Sequence, residues 1–289
     1  MRVSVIIPVY DDVRIEDCLA SIVPQVRPDS RDDVEIIVVD NGLRPAAAGI
    51  CERFGGSVVY VREPRRGSYM ARNAGLRVAR GDLYAFTDAD CLPDPNWLHT
   101  GRLAFEDIDA QVVTGPVRLF VRNPDRPNPI ELNQLCTAFQ IRRYVDVYDF
   151  GPTANLWTRA SVVQMVGLFD DRLWSSGDVE WCRRAVGSGC VVRYCEDLIV
   201  RHPARDSIGA ITSKELRLTG GHFELAVRDK RLPYLMRRRL WPYYKVRSII
   251  SSTQLSRAQR GRALVVELWL YLVRLGELGR LLLGGKPLR

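Results

Sequence analysis

Short apolar runs alternate with segments of helical periodicity through the first 200 residues. Val3–Val9 and Val34–Asp40 are near-continuous runs of β-branched residues, typical of strands covered on both faces in a parallel sheet. Between them apolar residues recur at helical spacing from Ile15 to Val23, and Pro24 lies where such a helix ends. The pattern continues with a strand over Val58–Val61, a helix over Gly67–Arg80, and strands over Leu83–Thr87 and Gln111–Val117. This alternation predicts an open α/β fold with a mostly parallel sheet flanked by helices.

Acidic residues follow three of the predicted strands. Asp11 and Asp12 come after the first strand, Asp40 ends the second, and Asp88-Ala89-Asp90 follows the fourth. Ligands of open α/β sheets bind at the carboxyl ends of the strands, so these acids mark a candidate site. Two carboxylates at i and i+2 point to the same side and can share a hard divalent cation. Taken alone, however, this triplet is also a common turn or helix cap.

Length and composition are those of an ordinary globular protein. The chain has 289 residues, of which 46% are hydrophobic and 26% charged, which suffices for one large domain or two small ones. Seven cysteines without a C-x-x-C pair are too sparse for a zinc ribbon or a disulfide scaffold. Because no signal-peptide pattern precedes the first predicted strand, we expect a cytoplasmic protein with reduced thiols.

Three motifs of nucleotide and metal binding are missing from the sequence. Neither a G-x-G-x-x-G fingerprint nor a G-x-x-x-x-G-K-[ST] loop occurs, which weighs against NAD enzymes and P-loop kinases. The residues after Asp90 lack the later ligands and the central glycine of an EF-hand loop, so a calcium site of that type is excluded.

A series of short motifs, taken in chain order, resembles glycosyltransferase family 2. The motifs are Val5-Ile-Ile-Pro-Val-Tyr10, Val38-Val-Asp-Asn-Gly42, Gly67-Ser-Tyr-Met-Ala-Arg-Asn-Ala-Gly75, Thr87-Asp-Ala-Asp90, Ala154-Asn-Leu-Trp157, Gly167-Leu-Phe-Asp170, Gly177-Asp-Val-Glu180 and Arg201-His-Pro203. Each motif alone is weak, but eight in family order over about 200 residues are specific. The resemblance implies a GT-A fold (a Rossmann-like sheet), a nucleotide-sugar donor, most often a UDP-sugar, and inversion at the anomeric carbon.

The resemblance also implies which residues hold the donor and a metal ion. Asp90 and Asp88, completed by His202, would bind Mn²⁺ or Mg²⁺ between the phosphates, where a cation acts as a Lewis acid. The other residues implied in donor binding are Pro8, Tyr10, Asp12, Asp40, Arg72, Asn73 and Ala89. Without the family order, His202 would read as a surface imidazole and Asp40 as a turn residue.

The acceptor side departs from the family pattern at one position. The family has a Glu-Asp pair that opens a helix, with the Asp as catalytic base; here Asp178 matches the Asp while Gly177 occupies the Glu position. The resemblance therefore implies Asp178 as the base, although an acid in the first turn of a helix also complements the helix dipole. Asn155, Gly177 and Trp181 are candidates for acceptor binding, and filling core space is the commoner use of a tryptophan.

Two other functions compete with glycosyl transfer. A sugar-nucleotide nucleotidyltransferase shares the α/β sheet and a metal, but its glycine-rich loop after the first strand is not seen. A non-catalytic sugar-nucleotide-binding or membrane-scaffold protein would have no need for the Asp88, Asp90 and Asp178 set. We expect a catalytic domain over residues 1–205, with a donor half at 1–117 and an acceptor half at 118–205, and a basic helical region over 206–289.

The last 90 residues differ from the rest in charge and pattern. Residues 1–200 carry 23 basic and 28 acidic residues, whereas residues 201–289 carry 19 and 6, giving net charges of −5 and +13. From Ser207 onward the pattern is helical, and between Lys230 and Arg247 basic residues alternate with Trp and Tyr, as in elements that lie on anionic lipid. Leu264–Leu283 is apolar but holds four charged residues, which argues against a membrane span.

Two interpretations of this tail are equally good on the sequence alone. It docks on an anionic membrane surface, which would place the protein at the inner face of the membrane, or its helices pack on the catalytic domain or on a second subunit of a homodimer. Nucleic acid is not an expected partner, because no DNA- or RNA-binding motif occurs. The acceptor and the donor sugar cannot be read from the residues.

Overall fold

A computed structural model describes residues 1–26, 33–106, 110–232 and 242–288. Their contacts divide the chain into two compact units. Unit 1 consists of Met1–Arg118, Phe139–Arg172 and Gly177–His202, and unit 2 consists of Leu119–Ala138, Leu173–Ser176 and Pro203–Arg289. The units interleave along the chain, and the domain boundaries expected from the sequence stay predictions.

Ten strands form in the described part of the chain. They are β1 (Val3–Val9), β2 (Val34–Asp40), β3 (Val58–Arg62), β4 (Leu83–Phe86), β5 (Leu92–Pro93), β6 (Val112–Thr114), β7 (Val117–Phe120), β8 (Leu156–Arg159), β9 (Val192–Tyr194) and β10 (Val200–Pro203). Seven make one sheet of order β3-β2-β1-β4-β8-β6-β9, and three make a small sheet of order β5-β10-β7. Strand β8 runs antiparallel to β4 and β6, whereas the other strands of the large sheet are parallel, which confirms the mostly parallel α/β fold.

Eleven α-helices are described. They are α1 (Ile15–Ile22), α2 (Ala46–Arg53), α3 (Ser68–Val78), α4 (Trp97–Leu103), α5 (Pro129–Thr137), α6 (Ile141–Tyr148), α7 (Ala160–Val166), α8 (Gly177–Gly187), α9 (Ile208–Arg228), α10 (Tyr243–Ile250) and α11 (Arg257–Leu282). As predicted, α1 ends just before Pro24, which lies in a 3₁₀ turn at Val23–Gln25. None of the described helices is long and apolar enough to cross a membrane.

The predicted strand over Gln111–Val117 is instead two strands, β6 and β7. Pro116 separates them, and its carbonyl accepts a hydrogen bond from Val200 N at 3.0 Å. Because proline has no N–H to donate to a ladder, a continuous strand through this position is disfavoured. The apolar pattern alone does not show this break.

Unit 1 has one large apolar core around the first strands of its sheet. Strands β1 and β2 are almost entirely buried, as their continuous β-branched sequences predict. Helix α1 contributes Ile15, Leu19 and Ile22 to the same core. The acidic residues that follow β1, β2 and β4 are therefore attached to strands that are held rigidly in a close-packed core.

Unit 2 is an assembly of helices. Helix α11 packs against α9 and α5, and α10 packs against α5 and α11. Small apolar clusters join them, one of which contains Leu132, Ile249, Leu255 and Ala263. Half of the basic and aromatic segment between Lys230 and Arg247 falls at 233–241, outside the described residues.

Charged side chains are buried between α9 and α11. Arg274 lies 3.3 Å from an oxygen of Glu215 and 2.5 Å from an oxygen of Glu267, and each of the three side chains is at most 7% exposed. Asn133 donates a hydrogen bond to Glu267 at 3.3 Å, and Lys245 Nζ lies 3.7 Å from Glu215. Since buried carboxylates need a counter-charge, Arg274 holds the network together.

Replacing Arg274 with methionine is expected to destabilise the protein by about 3–5 kcal/mol, because it leaves two buried carboxylates without their main partner. Chemical unfolding of the full chain measures this loss. Arg228→Met is the matched control on α9, since the side chains of the Arg228–Asp229 pair are 45% and 28% exposed and solvent-accessible pairs contribute about 1 kcal/mol or less. Equal effects of the two substitutions would contradict the account of the network.

Candidate active site

Four potential metal ligands converge where β4 ends. Asp88 and Asp90 follow β4, and the hydroxyl of the preceding Thr87 donates a hydrogen bond to Ala154 O at 3.0 Å. Strand β10 pairs antiparallel with β5, with Val200 opposite Pro93, and continuing this register places His202 opposite Cys91. Ligand atoms of Asp88, Asp90, Cys91 and His202 all lie within 4.8 Å of one another.

Two arginines orient the carboxylates of this cluster. Arg72 donates a hydrogen bond to Oδ1 of Asp88 at 2.5 Å, and Arg14 Nη2 lies 3.4 Å from Oδ2 of Asp90. The other oxygen of Asp90 lies 3.7 Å from His202 Nε2, and the His202 ring packs against Phe139 at a centroid distance of 5.0 Å. The Asp90 carboxylate is therefore held between a guanidinium on one oxygen and an imidazole on the other.

The cluster fits a divalent cation. Carboxylate oxygens suit Mg²⁺ and Mn²⁺, and imidazole is a ligand of first-row transition ions, so Mn²⁺ matches Asp88, Asp90 and His202 together. Cys91 was not predicted from the sequence. Burial and the nearby carboxylates of Asp88 and Asp90 raise the pKa of its thiol well above the usual value, whereas a bound cation would lower it.

Close packing of α3 on the sheet places Arg72. A side chain at Gly75 would meet Ile6 Cγ2 at 2.6 Å, so glycine lets α3 approach β1. Arg72 is 3% exposed, and its guanidinium lies over the ring of Tyr69 at 5.6 Å. The neighbouring Asn73 pairs with the backbone of Phe169 through two hydrogen bonds of 2.8 and 3.0 Å, and its predicted contact with the donor stays a prediction.

Tyr69 joins this cluster to the start of α8. Its hydroxyl accepts hydrogen bonds from Gly177 N at 2.8 Å and from Asp178 N at 3.3 Å, and lies 3.5 Å from Oδ1 of Asp178. Asp178 is thus connected to Asp88 through Tyr69 and Arg72. The predicted base and the predicted metal ligands therefore lie in one neighbourhood of unit 1, although 88 and 178 are far apart in the sequence.

The surroundings of Asp178 disfavour its charged form. Removal from water, together with the Asp88 carboxylate, raises the pKa of Asp178 above its ordinary value, although a hydrogen bond from Val179 N and the Arg72 charge act in the opposite direction. A carboxylate with a raised pKa is a better proton acceptor than an ordinary aspartate.

Gly177 is explained by the ring of Tyr69. A Cβ at this position would lie 2.6–2.9 Å from three ring atoms of Tyr69. The glutamate that the family pattern places here would therefore collide with the tyrosine.

Gly177→Ala is expected to destabilise the protein by about 1–3 kcal/mol, as overpacking in a filled site does. Gly187→Ala, at the other end of the same helix, is the control, because an added Cβ there meets nothing within 4 Å and alanine favours a helix by up to about 1 kcal/mol. Thermal unfolding of both variants measures the difference. A Gly177→Ala protein as stable as the Gly187→Ala protein would show that the ring does not fill this space.

Other predicted donor residues surround the ends of β1 and β2. Asp12 is paired with Arg14 at 2.6 Å; although partial burial opposes it, hydrogen bonds from Arg14 lower the pKa of Asp12. Tyr10 is exposed, Pro8 is partly buried within β1, and Ala89 is buried in the core. Their contacts with a donor stay predictions.

Asp40 is 1% exposed and makes hydrogen bonds inside the protein. Its carboxylate accepts from Gly42 N at 2.9 Å, Ala47 N at 3.3 Å and Tyr60 Oη at 3.2 Å, and Arg62 lies 3.3 Å away. These bonds give Asp40 a structural role at the end of β2. Donor binding by this residue stays a prediction.

Two residues predicted to bind the acceptor are fully buried. Asn155 accepts from Trp97 Nε1 at 3.0 Å and donates to Leu198 O at 2.7 Å. Trp181 is 0% exposed and donates to Gly167 O at 2.9 Å. Both residues therefore pack the interior, and a direct role in acceptor binding stays a prediction.

The fold and the sequence are both similar to those of known glycosyltransferases. A mannosyltransferase from Pyrobaculum calidifontis, solved with GDP-Man and Mn²⁺, superposes with a TM-score of 0.65 at 18% identity, over 96% of this chain and 86% of that one. The protein thus has the GT-A fold of glycosyltransferases. Residues 4–163 match the sequence model of Glycosyl transferase family 2.

Relatives with named activities are glycosyltransferases as well. The glycosyltransferase AglE of Haloferax volcanii is 32% identical over 233 residues, which is 79% of this chain and 75% of AglE. The pre-mycofactocin glycosyltransferase of Mycobacterium tuberculosis is 27% identical over 247 residues, and the match spans half of its length. The chain belongs to glycosyltransferase family 2 and is a glycosyltransferase.

Proposed function

We propose that this glycosyltransferase transfers a sugar from a nucleoside-diphosphate donor to an acceptor hydroxyl by direct, inverting displacement, with a divalent cation on the donor side and Asp178 as base. One observation carries the proposal: Asp88, Asp90 and His202 cluster at the end of β4, and Asp178 reaches the same place through Tyr69 and Arg72. The bound GDP-Man and Mn²⁺ of the Pyrobaculum enzyme support a nucleotide sugar and a metal.

On the donor side, Asp88, Asp90 and His202 would hold Mn²⁺ or Mg²⁺. When bound, the cation supplies positive charge for the diphosphate that leaves the anomeric carbon. Arg72 and Arg14 fix the two carboxylates, so the ligands are preorganised before the donor arrives. A UDP-sugar is the donor that the family resemblance favours.

On the acceptor side, the carboxylate of Asp178 takes the proton of the attacking hydroxyl. The hydroxyl oxygen forms a bond to the anomeric carbon while the bond from that carbon to the diphosphate oxygen breaks, and the electron pair leaves with the diphosphate. Attack from the face opposite the leaving group inverts the anomeric centre. Tyr69 and the backbone N–H of Val179 fix the carboxylate in position for this transfer.

A panel of nucleotide sugars, tested for hydrolysis or transfer with and without Mn²⁺, tests this function. We expect one or a few donors to turn over, with strong dependence on the metal, and the proton NMR spectrum of the first-formed product to show the anomeric configuration opposite to that of the donor. Retention of configuration, or full turnover in the presence of a chelator, would contradict the proposal. A scaffold that has lost catalysis would show no turnover with any donor.

A further inference from the structure

Helix α11 has an unusual distribution of side chains. Its charged residues Glu267, Arg274 and Glu277 are only 2–3% exposed and point into unit 2. Four large apolar residues are exposed instead: Val265 (69%), Leu268 (60%), Trp269 (47%) and Leu272 (54%). Val266, Leu270 and Leu278 are buried on the inner side as well, so α11 is apolar on two sides, whereas a soluble helix normally presents polar residues to water.

The exposed apolar residues lie on one side of α11. At 3.6 residues per turn, positions 265, 268, 269 and 272 fall within a sector about 100° wide. No acidic residue lies in this sector: the two acids of α11, Glu267 and Glu277, lie on the buried side. Arg257 and Arg262 are exposed at the beginning of the helix. We call the four apolar residues the α11 face.

We propose that the α11 face docks on the surface of an anionic lipid bilayer, with the helix lying in the plane of the interface. Of the two interpretations of the basic tail, membrane docking and helix packing, we thus favour membrane docking, and we assign the contact to the α11 face. It does not depend on the proposed sugar transfer. Apolar side chains enter the boundary between headgroups and acyl chains, while arginines beside them meet the lipid phosphates.

Charge complementarity favours lipid over a second copy of the chain. Residues 201–289 carry a net charge of +13, so two copies that met through this face would bring like charges together, whereas an anionic surface attracts them. The tryptophan agrees with an interfacial position, because indole rings favour the headgroup region. Trp269 also has its N–H satisfied by Thr212 Oγ1 at 3.1 Å, so its ring can enter lipid without an unpaired donor.

The opposite side of α11 limits how deep the helix enters. Glu267 and Arg274 are paired with each other and with Glu215 of α9. Moving these groups into hydrocarbon would separate buried charges from their partners, at large cost. Within α11, only the outward side can therefore enter lipid without breaking these pairs, which makes this a peripheral contact.

Vesicle cosedimentation of the full-length protein tests the proposal. The vesicles are pure phosphatidylcholine or phosphatidylcholine with about one third phosphatidylglycerol, which adds the anionic charge that basic surfaces sense. The apolar variant is Leu268→Gln with Leu272→Gln. Its matched control is Leu103→Gln with Met165→Gln, which removes two similarly exposed apolar side chains from unit 1. Circular dichroism confirms that each variant is folded.

We expect the wild-type protein and the control to bind anionic vesicles at low salt, and binding to fall in 0.5 M salt, as screening of charge requires, by about tenfold or more. The apolar variant is expected to bind about tenfold or more weakly than the wild type. Wild-type binding by the apolar variant, or no binding of the wild type to anionic vesicles, would overturn the proposal. So would light scattering that shows a wild-type dimer and a monomeric apolar variant, because the face would then bind a second copy.

None of these measurements involves sugar transfer. A protein that binds vesicles through the α11 face but turns over no nucleotide sugar would refute the proposed function alone. A protein that turns over a donor but ignores vesicles would refute the docking proposal alone.

Discussion

Asp90→Ala is expected to abolish both sugar transfer and the metal-dependent binding of nucleoside diphosphate. Asp90 is the residue of the cluster that lies next to both His202 and Arg14. Its removal takes away one metal ligand and also the carboxylate that connects the side chains of His202 and Arg14. With two strong ligands left, the cation affinity falls and the diphosphate loses the charge that holds it. Isothermal titration calorimetry with UDP and GDP, with and without Mn²⁺, measures the loss.

Asp17→Ala is the control for the removal of one negative charge, because Asp17 lies on the exposed side of α1. We expect it to bind diphosphate like the wild type. Circular dichroism and thermal unfolding check that Asp90→Ala is folded. Metal-dependent binding that survives in folded Asp90→Ala would refute the assignment of this residue as a metal ligand.

Asp178→Asn is expected to lower turnover by at least about a hundredfold, the usual contribution of a positioned base, while donor binding is preserved. Asparagine has the shape of aspartate and can still accept the hydrogen bond from Val179 N that now goes to the carboxylate at 2.9 Å. It cannot take the proton of an acceptor hydroxyl. Steady-state kinetics of transfer and calorimetry of donor binding separate the two effects.

Glu180→Gln is the matched control, since it removes a negative charge from the same turn of α8. Glu180 is paired with Arg184 at 2.8 Å, so its loss should affect stability more than turnover.

The pH dependence of turnover gives a further check on Asp178. Because the pKa of Asp178 is raised by its burial, wild-type turnover should fall as pH drops through a value above the range of an ordinary aspartate. Near-normal turnover in Asp178→Asn would mean that another group takes the proton.

Much of the fold could be predicted because its signals are local. Strands β1 and β2 are buried on both faces, so their residues are apolar at every position, and the pattern gives their ends to the residue. Strand β8 was not predicted as a strand. Its residues Leu156–Arg159 are few, and its antiparallel pairing with β4 and β6 depends on contacts that sequence periodicity does not encode.

In the candidate site, too, some features have local sequence signals and others depend on contacts between distant parts of the chain. Asp88 and Asp90 are adjacent in the sequence and follow a strand, so their convergence could be predicted from the sheet alone. The contact of Tyr69 with Gly177 and Asp178 joins residues about a hundred positions apart, and nothing local in the sequence marks it. Arg14 was missed because an arginine in the first turn after a strand resembles any exposed basic residue.

The burial of individual motif residues could not be predicted from the sequence either. Asn155 stands in a motif of the family, Trp181 directly follows one, and both carry groups that could contact a sugar, yet both satisfy their polar atoms inside the protein. A polar or aromatic residue in a motif serves the framework as readily as the substrate, and only the three-dimensional contacts distinguish the two uses.

Anomalous diffraction from crystals soaked with Mn²⁺ and UDP or GDP tests the central claim most directly, because it locates the ion without reference to activity. The account predicts one strong manganese peak within bonding distance of Asp88 or Asp90 and of His202, beside the diphosphate and on the same side of the molecule as Asp178. A diphosphate bound without manganese, or manganese bound away from the end of β4, would contradict it.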